Sequence, residues 1–250
     1  MNDLVIEDLT VVYGSGARAR KVVDSVNLRV PEGAVVGLVG ESGSGKSTVA
    51  RAILNLVKPA AGRVAIGEEE LSALTPHQRA RRVQMIFQDP FGLLNPRMTV
   101  AEIVGEAIAD RTLRGAARRA EVLRLLDLVA LPPEISERLP RRLSGGQRQR
   151  VAIARAFAAR PDVIVADEIT SALDVSVQAQ VLNVLREILA TQQQSMLFIS
   201  HNLAVVRYIS DHVAVMQHGR IVEQGPVRQV MERPEHPYTQ ALLAAVPQLR

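Results

Sequence analysis

The sequence predicts an α/β fold built on a mainly parallel sheet, with an N-terminal antiparallel β-subdomain and a helical subdomain inserted into the core. Three observations lead there. Short apolar, β-branched runs recur along the chain and alternate with stretches of helical periodicity, the pattern of strands joined by helical crossovers. Between residues 99 and 160 that alternation stops and helix signals take over. Over residues 1–30 and 219–222 the pattern is closer to antiparallel β-structure, with Gly14, Gly16, Gly33 and Gly219 as turn points.

In chain order, strands are expected at 4–6, 34–39, 83–87, 163–166, 196–199 and 213–216. Each is far shorter than the roughly 20 apolar residues needed to span a bilayer, so no part of the chain is expected to cross a membrane. A helix is expected over 48–56, directly after a glycine-rich stretch. Thr99 followed by Glu102 fits a capping box that opens another, and 121–129 forms a further helix that Leu131, Pro132 and Pro133 terminate. Residues 148–159 read as a helix that Ser144 can cap. After Asp174, the residues Val177, Val181, Val184, Leu185 and Ile188 recur at three- and four-residue spacing, one face of an amphipathic helix. The whole of 1–250 is expected to form one unit, with the helical subdomain at about 90–160 and a short C-terminal tail at about 226–250; no repeat or low-complexity linker divides it.

Composition narrows the function classes. With 47% hydrophobic and 22% charged residues, spread evenly, the chain should fold as a soluble globular unit. No basic region followed by an apolar segment opens the sequence, so a cytosolic location is expected. Zero cysteines agree with that compartment and exclude disulfides, a thiol nucleophile and an iron–sulfur centre held by cysteines. The net charge of +4 comes mainly from arginines at 79–82, 111–119 and 138–150. Aromatic residues are only 3% of the chain and none is interleaved among those arginines. Stacking platforms for single-stranded nucleic acid are therefore lacking, and a solvated helical face is the better reading.

Three motifs carry chemistry. Gly40, Glu41, Ser42, Gly43, Ser44, Gly45, Lys46 and Ser47 fit the spacing G-x-x-x-x-G-K-[ST], between an expected strand and an expected helix that continues through Thr48. Glycines let such a loop wrap around phosphates with its N–H groups inward, and the helix presents its positive dipole end. Lys46 neutralises β/γ-phosphate charge and Ser47 can hold Mg²⁺, which makes the core a P-loop NTPase unit. Four apolar residues then deliver Asp167 and Glu168 to the carboxyl end of a strand, where open α/β sheets bind ligands. Asp167 would stand near Mg²⁺, through water, and Glu168 could orient and deprotonate an attacking water. Finally, Leu143, Ser144, Gly145, Gly146 and Gln147 precede a helix whose N-terminal amides make a second anion site. Two such sites could serve one nucleotide within a chain or sites shared between two chains, and spacing does not decide between these.

In this order the motifs resemble the ABC transporter ATPase family over essentially the whole chain, with Leu143 to Gln147 as the most specific element. The resemblance implies that Tyr13 stacks on adenine, that residues 40–47 are the Walker A loop and that Gln88 is the glutamine near Mg²⁺ and the membrane partner. It further implies that residues 143–147 are the signature, Val163 to Asp167 Walker B, Glu168 the catalytic base, Ser171 to Asp174 the D-loop and His201 the switch histidine that senses the γ-phosphate. Two such domains close head to tail in the family, the signature of one capping ATP held by the other. Ile169 departs from the family pattern, which usually has proline there.

Two narrower stretches look like the dipeptide, oligopeptide and nickel importer branch: Gln88, Asp89, Pro90 through Leu94, Asn95, Pro96, Arg97, Met98, Thr99, Val100, and the tail His236, Pro237, Tyr238, Thr239, Gln240, Ala241, Leu242, Leu243. Read without the family, the tail is a surface helix started by Pro237. The branch implies ATP with Mg²⁺, a second motor subunit that is identical or paralogous, two membrane permeases and an extracytoplasmic solute-binding protein, with this chain on the cytoplasmic face of the inner membrane. Peptide stands ahead of nickel or a metal chelate as cargo only by resemblance. A soluble ABC ATPase of DNA maintenance or the ribosome would carry a coiled-coil interruption or two ATPase units, neither of which is present, and an exporter motor would lack these two stretches.

Overall fold

A computed structural model describes residues 2–89, 92 and 94–245. Met1, Pro90, Phe91, Leu93 and the tail from 246 on lie outside them.

The chain begins with β1 (Leu4–Tyr13) and β2 (Arg20–Val30), an antiparallel pair. Leu4, Ile6, Leu9 and Val11 point inward from β1, and Val23, Val26, Leu28 and Val30 from β2. Strict alternation would break between Ile6 and Leu9 and between Val23 and Val26. The chain corrects it with one irregular residue in each strand, Asp8 and Ser25, both at positive φ. Their N–H groups are taken by Asn27 Oδ1 at 2.9 Å and Thr10 Oγ1 at 3.1 Å. Next come β3 (Val35–Val39), α1 (Lys46–Ile53), β4 (Ala61–Ile66), β5 (Glu69–Glu70), α2 (Pro76–Arg82) and β6 (Val83–Ile86). The antiparallel sheet has the order β2-β1-β4-β5.

Helices α3 (Val100–Ala107), α4 (Gly115–Leu128) and α5 (Gly145–Ala158) follow with no strand among them, the helical stretch expected from the sequence. They give way to β7 (Val163–Asp167), α6 (Val175–Gln192), β8 (Ser195–Ser200), α7 (Leu203–Ile209), β9 (His212–Gln217), β10 (Arg220–Pro226), α8 (Val227–Glu232) and α9 (Pro237–Ala244). The second sheet runs β10-β9-β3-β8-β7-β6, parallel at every pairing except β10 with β9.

This sheet is covered on both faces, so its strands read as continuous apolar runs. Alternate residues go to opposite cores. Val35, Val39, Ile164, Ala166, Met196 and Phe198 join the cluster formed with the helices, whereas Val36, Leu38, Val163, Val165, Leu197 and Ile199 pack toward α1 and the antiparallel sheet. Between Val36 and Leu38, Gly37 leaves room for α7: a Cβ there would stand 2.3 Å from Val206 Cγ1.

The helix expected over 48–56 is shorter, because Asn55 adopts a left-handed φ of 55° after Ile53. That expected over 121–129 begins earlier, at Gly115. The strands at 61–66 and 69–70 and the helix at 76–82 were not expected. Among the described residues, no helix is long and apolar enough to cross a membrane.

Candidate functional site

Register brings the site together. Val39 pairs with Ser200, Ile199 with Asp167, and Ala166 with Ile86, so the carboxyl ends of β3, β8, β7 and β6 form one edge. The loop beginning at Gly40, the acids Asp167 and Glu168, and His201 all leave the sheet at this edge. Gln88, two residues beyond the end of β6, is exposed.

The loop over 40–45 is held by close backbone approaches. Gly40 has φ +154° and a Cβ there would lie 2.1 Å from the Met216 carbonyl oxygen; Gly45 has φ +110° and would meet the Val22 carbonyl at 2.8 Å. The Gly219 amide donates to the Ser44 carbonyl at 2.9 Å, tying the loop to the β9–β10 turn. Lys46 opens α1 and is buried, its Nζ donating to the carbonyls of Gly40 and Glu41, each at 2.8 Å. Burial pushes the ammonium below the usual lysine range, and the Glu168 and Asp167 carboxylates oppose that shift. Ser47 Oγ donates to Asp167 Oδ1 at 3.3 Å. Burial raises the Asp167 carboxyl above its ordinary value, Ser47 opposing and Glu168 adding to the effect. Ser42, Gly43 and Thr48 complete the expected phosphate-binding run along the loop and the first turn of α1.

Glu168 sits at φ +50°, uncommon for a residue with a side chain. Its N–H donates to the Ile199 carbonyl at 2.9 Å, and its Oε1 lies 3.2 Å from His201 Nδ1. The two residues expected to handle the attacking water and the γ-phosphate are therefore neighbours. Ile169, where the resembling family usually has proline, is buried in the helical core, and the Ser171 amide closes the turn by donating to the Glu168 carbonyl at 3.1 Å.

Tyr13 ends β1 opposite Arg20 and is partly exposed. The hairpin carries Val22, against which Gly45 packs, so Tyr13 stands at the strand end nearest the loop.

The stretch expected to form a second anion site is built as a capping box. Ser144 Oγ accepts from the Gln147 amide at 3.2 Å, and Gln147 Oε1 accepts from the Ser144 amide at 3.0 Å. Its glycines lie against the start of α6: a Cβ on Gly145 would be 3.4 Å from Leu173 Cδ2, and one on Gly146 2.3 Å from Val177 Cγ1. Among the described hydrogen bonds, none joins 144–147 to the loop at 40–47 of the same chain.

With this geometry in place, the comparisons decide the family. A family model described as ABC transporter matches residues 23–171. The chain belongs to the ABC transporter family. A second model, described as oligopeptide/dipeptide transporter, C-terminal region, matches residues 222–250 of this ABC ATPase. Similar curated proteins include a putative peptide import ATP-binding protein of Brucella ovis, 46% identical over 98% of this chain and 78% of its own. Another is the oligopeptide transport ATP-binding protein OppF of Streptococcus mutans, 45% identical over 97% of this chain and 81% of its own. Among solved structures, the ATP-binding cassette MJ0796, described as a dimeric post-hydrolysis state bound to ADP and Pi, has a TM-score of 0.79 at 29% identity, covering 90% of this chain and 99% of its own. The CbiO1 subunit from Clostridium perfringens has a TM-score of 0.82 at 25% identity, covering 92% and 90%.

Two residues beside the site of this ABC ATPase were not singled out for a role there by sequence. Tyr238 Oη accepts from the Glu41 N–H at 3.0 Å, and Glu223 accepts from the amides of Glu235 and His236 at 2.9 and 3.1 Å. The tail motif was visible, but a contact across 197 positions leaves no periodic signal.

Proposed function

We propose that this ABC ATPase energises uptake of peptides. It acts with a second ATPase subunit, identical or paralogous, two transmembrane permeases and an extracytoplasmic solute-binding protein, at the cytoplasmic face of the cell membrane. The match of residues 222–250 to the C-terminal region of oligopeptide/dipeptide transporters carries the reading, and relatives named for peptide import support it. The chain works as one unit over 1–250, with a helical subdomain at about 90–160 and a tail from about 226.

In this reading the amides and hydroxyls of residues 40–48 bind the phosphates, Lys46 pairs with β/γ charge, and Tyr13 stacks on adenine. Ser144 to Gln147 cap the nucleotide held by the other motor subunit. Mg²⁺ fits the site, because Ser47 and the half-buried Asp167 present hard oxygen donors 3.3 Å apart and partial burial disfavours an uncompensated Asp167 charge. Ser47, Asp167 and Gln88 would hold it, and it would neutralise charge on the β- and γ-phosphate oxygens. Glu168 takes a proton from the attacking water, and His201, 3.2 Å from Glu168, orients against the γ-phosphate.

The test is uptake of a radiolabelled dipeptide, and separately of nickel, by cells lacking this chain and complemented with wild type or Lys46→Ala. Wild type alone should restore dipeptide uptake. Restoration of nickel uptake without dipeptide uptake would overturn the cargo, and full activity of Lys46→Ala would overturn the site.

A further inference from the structure

We propose that Tyr238 is a positioning residue for the phosphate loop, so that docking of the tail helix α9 sets how tightly the chain binds ATP. The inference rests on residues 40–48 being the nucleotide site.

Three polar backbone groups at the root of the loop have side-chain partners. The carbonyls of Gly40 and Glu41 accept from the Lys46 ammonium, and the Glu41 N–H donates to the Tyr238 hydroxyl. Gly40 is pressed against the Met216 carbonyl on the other side. One peptide segment is therefore fixed between β9, Lys46 and α9. Moving the peptide plane that carries the Glu41 N–H would also move the Gly40 carbonyl that helps to aim Lys46.

The tail is built to hold that phenol still. His236 caps α9, its Nδ1 accepting from the Tyr238 amide at 3.2 Å, and Pro237 occupies the first turn, where its missing N–H costs nothing. Glu223 on β10 accepts from two amides ahead of the helix, and Gln240 Nε2 donates to the Pro234 carbonyl at 3.0 Å. The Tyr238 ring is buried in the helical core, and Leu242 and Leu243 of the same helix pack against that core. Because β10 pairs with β9, and β9 and its turn to β10 line the loop, one rigid frame runs from Glu223 to Glu41. A surface helix started by proline would need none of these contacts.

Tyr238→Phe removes the hydroxyl and keeps the buried ring, so it separates positioning from packing. Binding is read by fluorescence titration with a methylanthraniloyl ATP analogue, beside thermal unfolding without nucleotide and steady-state ATPase assays. A lost neutral hydrogen bond to a part-buried amide should weaken ATP binding and raise KM about three- to tenfold, with kcat within about twofold and the melting temperature nearly unchanged. Glu223→Gln, which loosens the tail and leaves the phenol in place, should shift the dissociation constant in the same direction. Unchanged affinity in Tyr238→Phe, with or without a drop in melting temperature, makes Tyr238 a packing residue and overturns the inference. If Lys46→Ala binds as well as wild type, the phosphate site itself is wrong and the inference falls with it; if Lys46→Ala abolishes binding and Tyr238→Phe leaves it unaltered, only the inference falls.

Discussion

The ammonium of Lys46 is buried and already aimed by two carbonyls, so its charge acts in a setting where water does not screen it fully. Lys46→Ala should reduce ATP hydrolysis by about 10²–10³-fold, the usual cost of a preorganised charge-stabilising donor, as measured by phosphate release. Ile169 poses the opposite case. Proline would stiffen the turn after Glu168 through its ring; here Glu168 at φ +50° is held by backbone hydrogen bonds to Ile199 and Ser171 and is followed by the buried Ile169 side chain. Ile169→Ala should therefore destabilise the fold by about 2–4 kcal/mol in denaturant unfolding and lower kcat more than it changes KM. Lys46, Asp167 and Glu168 were legible because their chemistry fixes residue type and spacing. The role of Ile169 was not, since an apolar residue after an apolar strand looks the same whether or not it props a catalytic turn.

Among the elements, helix starts were the most readable. Thr99 with Glu102 and Ser144 with Gln147 form the reciprocal bonds their spacing implies, and Asp174 caps α6 by accepting from Val177. Thr75, Pro76 and Gln78 open α2 by the same chemistry, although only seven residues follow and no apolar face marks them. Strand β4 was opaque because only its last three residues are buried, leaving too short an apolar run to read. The α5–α6 seam is where two elements depend on one small residue. Gly146→Ala should lower the melting temperature by several degrees through contact with Val177, and Val177→Ala in the same chain should recover most of the loss; absence of rescue would show that the helix terminus matters for another reason. At the start of β1, Asp3 accepts from the Glu32 amide and from Arg29, which together hold its carboxyl below the ordinary range. That stability is present above the unfolded-state value and lost as pH falls through the folded one. Asp3→Asn should cost about 1–2 kcal/mol at pH 7 and progressively less as pH falls below the unfolded-state value, as read from unfolding across that range.

At the scale of the molecule, parallel strands bring the loop at 40–47, Asp167, Glu168 and His201, the residues proposed for hydrolysis, to one edge of the sheet, and that was foreseeable from strand order and motif position alone. Long-range docking was not: α9 lies near the chain's end and reaches the loop through Tyr238. Among the described hydrogen bonds none joins 144–147 to the loop at 40–47, and a second motor is proposed to complete the site. With Mg·ATP, Glu168→Gln should elute together with its motor partner, either another copy or a co-expressed paralogue, at about twice the monomer mass. Elution as a monomer beside every such partner would contradict shared sites.

The most direct test is phosphate release by wild type and Glu168→Gln, measured beside ATP binding in the same preparations. With Glu168 as general base, the variant should bind ATP within about threefold of wild type and hydrolyse it about 10²–10⁴-fold more slowly. Hydrolysis at the wild-type rate with binding intact would remove Glu168, and the geometry built around it, from the mechanism.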